Sequence, residues 1–309
     1  MARCDLHVHS CFSGKTNHVT ALEPMDSYST PGRLYDMARR RGMDLVTITD
    51  HDSIDGCLAL LRERPGLSDF FISEEVSVPL REFGYKLHVG VYRMEPGDHE
   101  EIRRRRGDWE GLLDWLDGRG LFYTWNHPFY HFPLGPSGRE LLARLLPRFR
   151  NCEGINSCLP PEVNRAFMEG AARPAGGLRA PCWTAGSDSH SLWRVGRTWT
   201  EAPGADPGAF LRSLARGEGT VHGNNGRFLG VFVDAMSVYI GYSRDVVWRN
   251  EIHRDWSLWK KARNMVGWAF WLPVFTAGSL GYAWFQYRRF VRDVPAYRAL
   301  WSPRGSPPA

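Results

Sequence analysis

Paired cysteines are missing from this sequence. The six present, Cys4, Cys11, Cys57, Cys152, Cys158 and Cys182, show no CxxC spacing across 309 residues. Neither a zinc knuckle nor a disulfide framework is indicated, and they read as reduced thiols. An apolar N-terminal stretch is lacking too, because MARCDLHVHS runs directly into strand-like sequence. That excludes a secretory signal peptide and makes a cytoplasmic catalytic portion the expectation. Internal repeats are absent, and the one biased segment is the tail SPRGSPPA after Trp301, which reads as disordered. A large excess of one charge is absent as well. With 39 basic against 34 acidic residues, a formal +5, the surface is mixed, and charge does not call for a nucleic-acid partner. The run Arg103–Arg106 follows Glu100 and Glu101 and reads as a solvated helix face with the i,i+4 pairs Glu100–Arg104 and Glu101–Arg105.

What is present is a hydrophobic content of 43%, enough for a sizeable core in one large domain with an appendage. Short apolar runs bounded by turn residues recur at Arg3–His9, Asp44–Asp50, Phe70–Val78, Lys86–Tyr92, Leu121–Asn126, Cys152–Asn156 and Cys182–Gly186, each of strand length. Helical patterns lie between most of them. In Pro31–Arg41, proline sits in the first turn, Leu34, Met37 and Ala38 share a face, and Gly42 supplies the stop. Such alternation predicts an α/β fold of parallel strands with crossover helices. Roughly seven units over residues 1–230 suit a TIM-like barrel slightly smaller than the eight-unit type. An open doubly wound sheet is the competitor, but candidate site residues end several different strands, and a barrel mouth gathers those best.

From residue 231 to 309 the pattern becomes aromatic and basic, predicting a C-terminal helical extension. Val266–Tyr287 has no charged side chain and is about long enough to span a bilayer. Lys260, Lys261 and Arg263 flank it on one side and Arg288, Arg289 and Arg292 on the other, as membrane anchors would. Against a span stand Pro273 and glycines 267, 278 and 281, and a hairpin buried against the barrel is the alternative. Membrane contact through 248–292, at the inner face, is thus one expectation.

His7 and His9, two apart on a strand, project from one face; alone, such a pair is as readily a pair of satisfied histidines. His51 follows the β-branched run DLVTITD, where a barrel strand opens into its loop. Asp52 and Ser53 beside it read as caps for the next helix. Glu74 and Glu75 stand inside an apolar strand, where an unpaired carboxylate is costly; one needs a cation, and the other faces away in a structural role. His88 lies in KLHVGVY, and His127 ends a strand with Pro128 enforcing an extended approach. Asp188 and His190 in GSDSH repeat the alternate-residue geometry. So many histidines and carboxylates at strand ends point to a metal site. His99, His131, His222 and His253 have no matching partner and read as surface or structural.

Taken in order, DLHVHS, TITDH, the EVS glutamate, KLHV, NHP and GSDSH resemble the PHP family, named for polymerase and histidinol phosphatase domains, over approximately residues 5–222. The resemblance implies a distorted (β/α)7 barrel binding two or three divalent ions (manganese, iron or zinc). Its implied ligands are His7, His9, His51, Glu75, His88, His127, Asp188 and His190, with Glu75 bridging and with Glu75, Asp188 and His190 catalytic. The activity implied is phosphoester hydrolysis by a metal-activated water, on a small phosphorylated metabolite, a nucleotide or a short oligonucleotide. Lys15, Lys86, Arg194 and Arg197 flank the motifs as candidate phosphate contacts. One departure matters: family members continue the first motif to an aspartate ligand, and here that position is Gly14. His18 or Asp26 would have to substitute, or a third ion is lost. The alternatives are a metal-dependent amide or ester hydrolase and a degenerate, membrane-attached scaffold.

Overall fold

The computed structural model describes residues 1–14, 25–173, 179–223, 226–249 and 251–302; Lys15, His18 and the SPRGSPPA tail beyond Ser302 lie outside them. Six strands form one sheet in chain order: β2 (Val46–Ile48), β3 (Phe70–Leu80), β4 (Tyr85–Tyr92), β5 (Phe122–Trp125), β6 (Asn151–Asn156) and β7 (Cys182–Gly186). A second, three-stranded sheet joins β1 (Ala2–Cys4), β8 (Thr198–Ala202) and β9 (Thr220–Gly223).

The expectation of uniformly parallel strands fails at β4, which runs antiparallel to both β3 and β5. The reason is the length of the β3–β4 connection. Only Arg81–Phe83 and Gly84, at φ 59°, separate the two strands, and a parallel return needs a crossover of about a dozen residues or more. The β2–β3, β5–β6 and β6–β7 pairs are parallel. Sequence reading also passed over β8 and β9. In β8 the residues facing inward are Thr198, Thr200 and Ala202 while Trp199 and Glu201 are half-buried, so its alternation carries no apolar signature.

The expected first strand ends at Cys4, and Asp5–His9 continues as an irregular segment lying between β7 and β2. On one flank Asp188 N donates to His7 O at 2.7 Å and His9 N to Ser189 O at 3.0 Å. On the other, Thr49 N donates to Val8 O at 2.9 Å. The six-stranded sheet is thereby curled into a half-barrel whose two ends both reach the segment carrying His7 and His9.

Period-2 alternation divides the sheet into two faces. One bears Ser73, Glu75, His88, Gly90, Thr124 and Asn126. The other bears Val76, Val78, Leu87, Val89, Val91 and Trp125, all buried in the main core. Helices cover that apolar face: α3 (Pro96–Arg105), α4 (Trp109–Arg119), α5 (Gly135–Leu145) and α6 (Pro161–Ala171). They bury Ile102, Leu112, Leu113, Leu116, Leu141, Leu145, Val163 and Phe167 against it. α1 (Pro31–Arg40) follows the expected pattern, with Pro31 at its start, Leu34 and Ala38 buried, and Gly42 at φ 79° beyond its end. α2 (Asp55–Glu63) begins after Ser53, whose Oγ accepts from Asp55 N at 3.1 Å. Asp52 does not cap it: its carboxylate accepts from Ser77 N at 2.8 Å and meets Arg106 at 2.8 Å. On α3 the arginines do form a solvated face, although Glu100 pairs with Arg103 while Glu101 takes Arg104 and Arg105.

α7 (Pro207–Ala215) precedes β9, and two helices follow, α8 (Phe228–Arg244) and α9 (Leu258–Ala299). The stretch expected to span a bilayer lies inside α9, and among the described residues no helix is long and apolar enough to cross a membrane. The glycines, Thr276, Ser279 and Gln286 dilute its apolarity. Further along, α9 joins the core: Phe290, Val294, Tyr297 and Leu300 are buried with Phe129 and Phe167, and the rings of Phe129 and Tyr297 stack at 4.7 Å.

Candidate metal centre

Glu75 stands at the middle of the polar face, fully buried, with imidazoles on every side. Its Oε1 lies 3.1 Å from Nε2 of His7 and 3.1 Å from Nε2 of His127. Its Oε2 lies 2.9 Å from Nδ1 of His51, 3.3 Å from Nδ1 of His88 and 3.8 Å from Nε2 of His9. Asp188 Oδ1 faces the other side of the first histidine pair, 3.5 Å from His7 Nε2 and 3.3 Å from His9 Nε2. His190 stacks on His9 with ring centroids 4.4 Å apart. All eight residues singled out from the motifs therefore meet in one place.

A ninth joins them. Asp26 Oδ2 sits 2.9 Å from His190 Nε2 and 3.9 Å from His51 Nε2. Its backbone amide donates to Gly14 O at 2.9 Å, so a carboxylate stands beside position 14, where the sequence itself has none. Four groups of side chains bring donor atoms within 4.8 Å of one another: His9, Asp26, His51 and His190; His7, His9 and Asp188; His7, Glu75 and His127; His51, Glu75 and His88.

The donor atoms are poorly satisfied by one another. His7 Nε2, His9 Nε2, His51 Nδ1, His88 Nδ1, Glu75 Oε2 and Asp26 Oδ2 are buried without a hydrogen bond. Each such group costs about 1–3 kcal/mol when left in that state, and a shared cation relieves all of them at once. The residues present thus fit a divalent-ion site of imidazole and carboxylate donors.

The electrostatics agree. Burial opposes ionisation of Glu75, but the imidazoles of His7, His88 and His51 prevail and hold its carboxyl well below the ordinary range. Asp188 is likewise held low, against its burial, by His7, His9 and His127. Burial, reinforced by His190 and His51, pushes the His9 imidazole down to about 3, which leaves it neutral with a lone pair to offer. His190, despite its burial, is raised to about 10 by Asp26.

A layer of hydrogen bonds aims these groups. Glu153, missed in the sequence, is buried and takes His7 Nδ1 at 3.1 Å, His127 N at 2.8 Å and Asn156 Nδ2 at 2.9 Å. Asn126 Nδ2 donates to Glu75 Oε1 at 2.9 Å and Asn156 Nδ2 to Asp188 Oδ2 at 3.1 Å. Ser13 Oγ meets His9 Nδ1 at 3.0 Å. Asp234 on α8 supports the GSDSH loop through the hydroxyl of Ser191. The signal for Glu153 was available, since it interrupts a strand as Glu75 does. His127 and Asp188 have φ of 29° and 49°, a region side chains avoid and one often found at functional sites. Pro128 therefore does not hold His127 extended; the Glu153 bond to its amide and a turn bond from Tyr130 N to His127 O at 2.8 Å set the backbone instead.

Other expectations sort out by position. Glu74 faces away from the cluster and pairs with His99 Nδ1 at 2.9 Å; His99 is thus structural. His253 is buried with Tyr28, His131 packs near Phe290 and His222 stacks on Trp199. Among the candidate phosphate contacts, Lys86 is exposed. Arg194 is buried, its Nη1 3.7 Å from Cys158 Sγ. Arg197 is exposed, its guanidinium 4.2 Å above the Trp193 ring.

A family model described as PHP-associated matches residues 178–218, the segment that contains Asp188 and His190. Over that segment the chain is similar to PHP-associated proteins. No curated protein matches it. Among solved structures, PsfC from Pseudomonas syringae is similar at 20% identity with a TM-score of 0.52, over 79% of this chain and 99% of that one, which shows a shared fold. A two-domain protein from Bacteroides vulgatus, described as containing a predicted PHP-like metal-dependent phosphoesterase, is 15% identical over 75% of this chain and 69% of its own, with a TM-score of 0.49. An amidohydrolase from Chromobacterium violaceum, solved with sulfate and no metal, is 17% identical over 71% and 97%, with a TM-score of 0.47.

Proposed function

We propose that this chain is a metal-dependent phosphoester hydrolase acting on a small phosphorylated metabolite, a nucleotide or a short oligonucleotide. The observation that carries the reading is the convergence on Glu75 of buried imidazole and carboxylate atoms, several of them without a hydrogen bond. His7, His9, His51, Glu75, His88, His127, Asp188 and His190, together with Asp26, would hold two or three divalent ions, and the donor chemistry suits manganese, iron or zinc. Ions bound there would supply an acidified water and polarise the phosphoryl oxygens. The PHP resemblance of the motifs is what favours a phosphoester over a carbonyl substrate.

The chain's own part is positioning. Glu75 offers one oxygen to the His7 and His127 side and the other to the His51 and His88 side, as a bridging ligand must. Glu153 draws the proton of His7 to Nδ1 and so leaves Nε2 free to bind. Asn126 and Asn156 fix the acids without adding charge. Asp26 restores the acidic donor that Gly14 lacks, so the third group of ligands stays complete.

The test is metal analysis of the purified protein together with assays, in added manganese, of phosphomonoesters, phosphodiesters and amides. Phosphate release that is lost in Glu75→Ala is the expected result. Amide turnover without phosphate release, or activity unaffected by that substitution, overturns the reading.

A further inference from the structure

A cleft of about 380 Å³ lies beside the ligand cluster, with His190 in its wall. It is formed where the end of α1, the loop after His190 and α8 come together. Three arginines line it, Arg41, Arg244 and Arg249, and no aspartate or glutamate does. Among the described residues none of the three guanidinium groups forms an ion pair. Arg41 instead donates to the carbonyl oxygens of Trp193 and Val195. The acids nearby in sequence are occupied elsewhere. Asp245 accepts from the amides of Glu251, Ile252 and His253 at 2.9, 3.1 and 2.9 Å, and Glu251 lies 3.6 Å from Arg33.

Like charges gathered in a concave site repel one another and raise the local concentration of anions. The cleft also presents Trp193, 44% exposed, and Ile240, 47% exposed. Ile240 and the part of Trp193 not covered by Arg197, beside guanidinium groups that form no ion pair, make a surface for a molecule that is part anion and part flat or apolar frame. His190 belongs to both the cleft and the ligand cluster, so a molecule held in one reaches the other.

We propose that the cleft receives the non-reacting part of the substrate and that Arg41, Arg244 and Arg249 hold a second anionic group on it. The favoured substrates are then phosphoesters that carry a further carboxylate, sulfonate or phosphate on an aromatic or apolar frame. This deepens the hydrolase reading above and rests on it. It also gives α8 a role: it supplies Ile240 and Arg244, a wall of the substrate site.

The experiment compares kcat/KM for phenyl phosphate, 4-carboxyphenyl phosphate and 1,4-phenylene bisphosphate in the manganese-loaded full chain. Wild type should prefer the two charged substrates by at least tenfold, chiefly through KM. Arg244→Ala with Arg249→Ala should bring that ratio near unity, and Arg244→Glu with Arg249→Glu should reverse it, a change that loss of structure cannot mimic. A preference for the bisphosphate alone assigns the pocket to phosphate, and a preference for both assigns it to anions generally; either supports the proposal. Turnover of all three with equal kcat/KM overturns the subsite while leaving the hydrolase standing. Turnover of no phosphoester overturns both.

Discussion

Glu153→Gln tests whether the second layer of the site works as described. The carboxylate makes three bonds from its buried position: Oε1 to His7 Nδ1 at 3.1 Å, and Oε2 to His127 N at 2.8 Å and Asn156 Nδ2 at 2.9 Å. Glutamine has the same shape but only one accepting atom. If its oxygen keeps the two bonds at the Oε2 position, its amide NH2 faces His7 Nδ1 and drives the imidazole proton to Nε2, the atom that faces Glu75 and Asp188. A protonated Nε2 cannot bind a metal ion. The opposite orientation keeps His7 correct but forfeits both bonds at Oε2, one of which fixes the strained backbone of His127. Disturbing such outer partners typically weakens metal binding by about 10–100-fold, or roughly 1.4–2.7 kcal/mol, and the tautomer switch puts this case near the upper end. Affinity is measured by competition with a chromophoric chelator, alongside the melting temperature of the metal-free protein. A variant that binds metal within twofold of wild type would refute the role given to Glu153.

Three further outcomes follow from particular contacts. Asp26→Ala should lower the bound-metal content of the purified protein by about one ion per chain and leave its secondary structure intact; metal analysis and circular dichroism check this, and unchanged stoichiometry removes Asp26 from the ligand set. Gly186→Ala would place a methyl 2.2 Å from His7 Cβ and 2.8 Å from His7 N, so overpacking should cost about 1–3 kcal/mol and displace His7, read as a lower denaturation midpoint together with weaker metal binding. Tyr297→Ala removes a ring stacked on Phe129 and should cost about 3–5 kcal/mol in chemical denaturation; a neutral effect would show that α9 does not support the core.

Sequence alone picked out the histidines and acids that the fold brings together and the faces they share. A histidine pair and an aspartate–histidine pair two apart, acids inside apolar strands and polar residues at strand ends are local signals, because a strand's two-residue period dictates which side chains point together. The motifs that resemble the PHP family and the α/β character were legible for the same reason. Tertiary structure decided what depends on chain closure. The antiparallel β4 follows from a connection too short for a crossover, and β8 was hidden because threonines face inward. Glu153 lies 146 residues from the histidine it hydrogen-bonds, and Asp26 reaches the cluster with its amide on Gly14 O, a contact no local sequence signal announces. The C-terminal region shows the same limit. Val266–Tyr287 resembled a bilayer segment, yet among the described residues no helix is long and apolar enough to cross one, and it is Phe290, Val294 and Tyr297 beyond that stretch that join the core, since side-chain hydrophobicity states a need for burial without naming the partner that meets it.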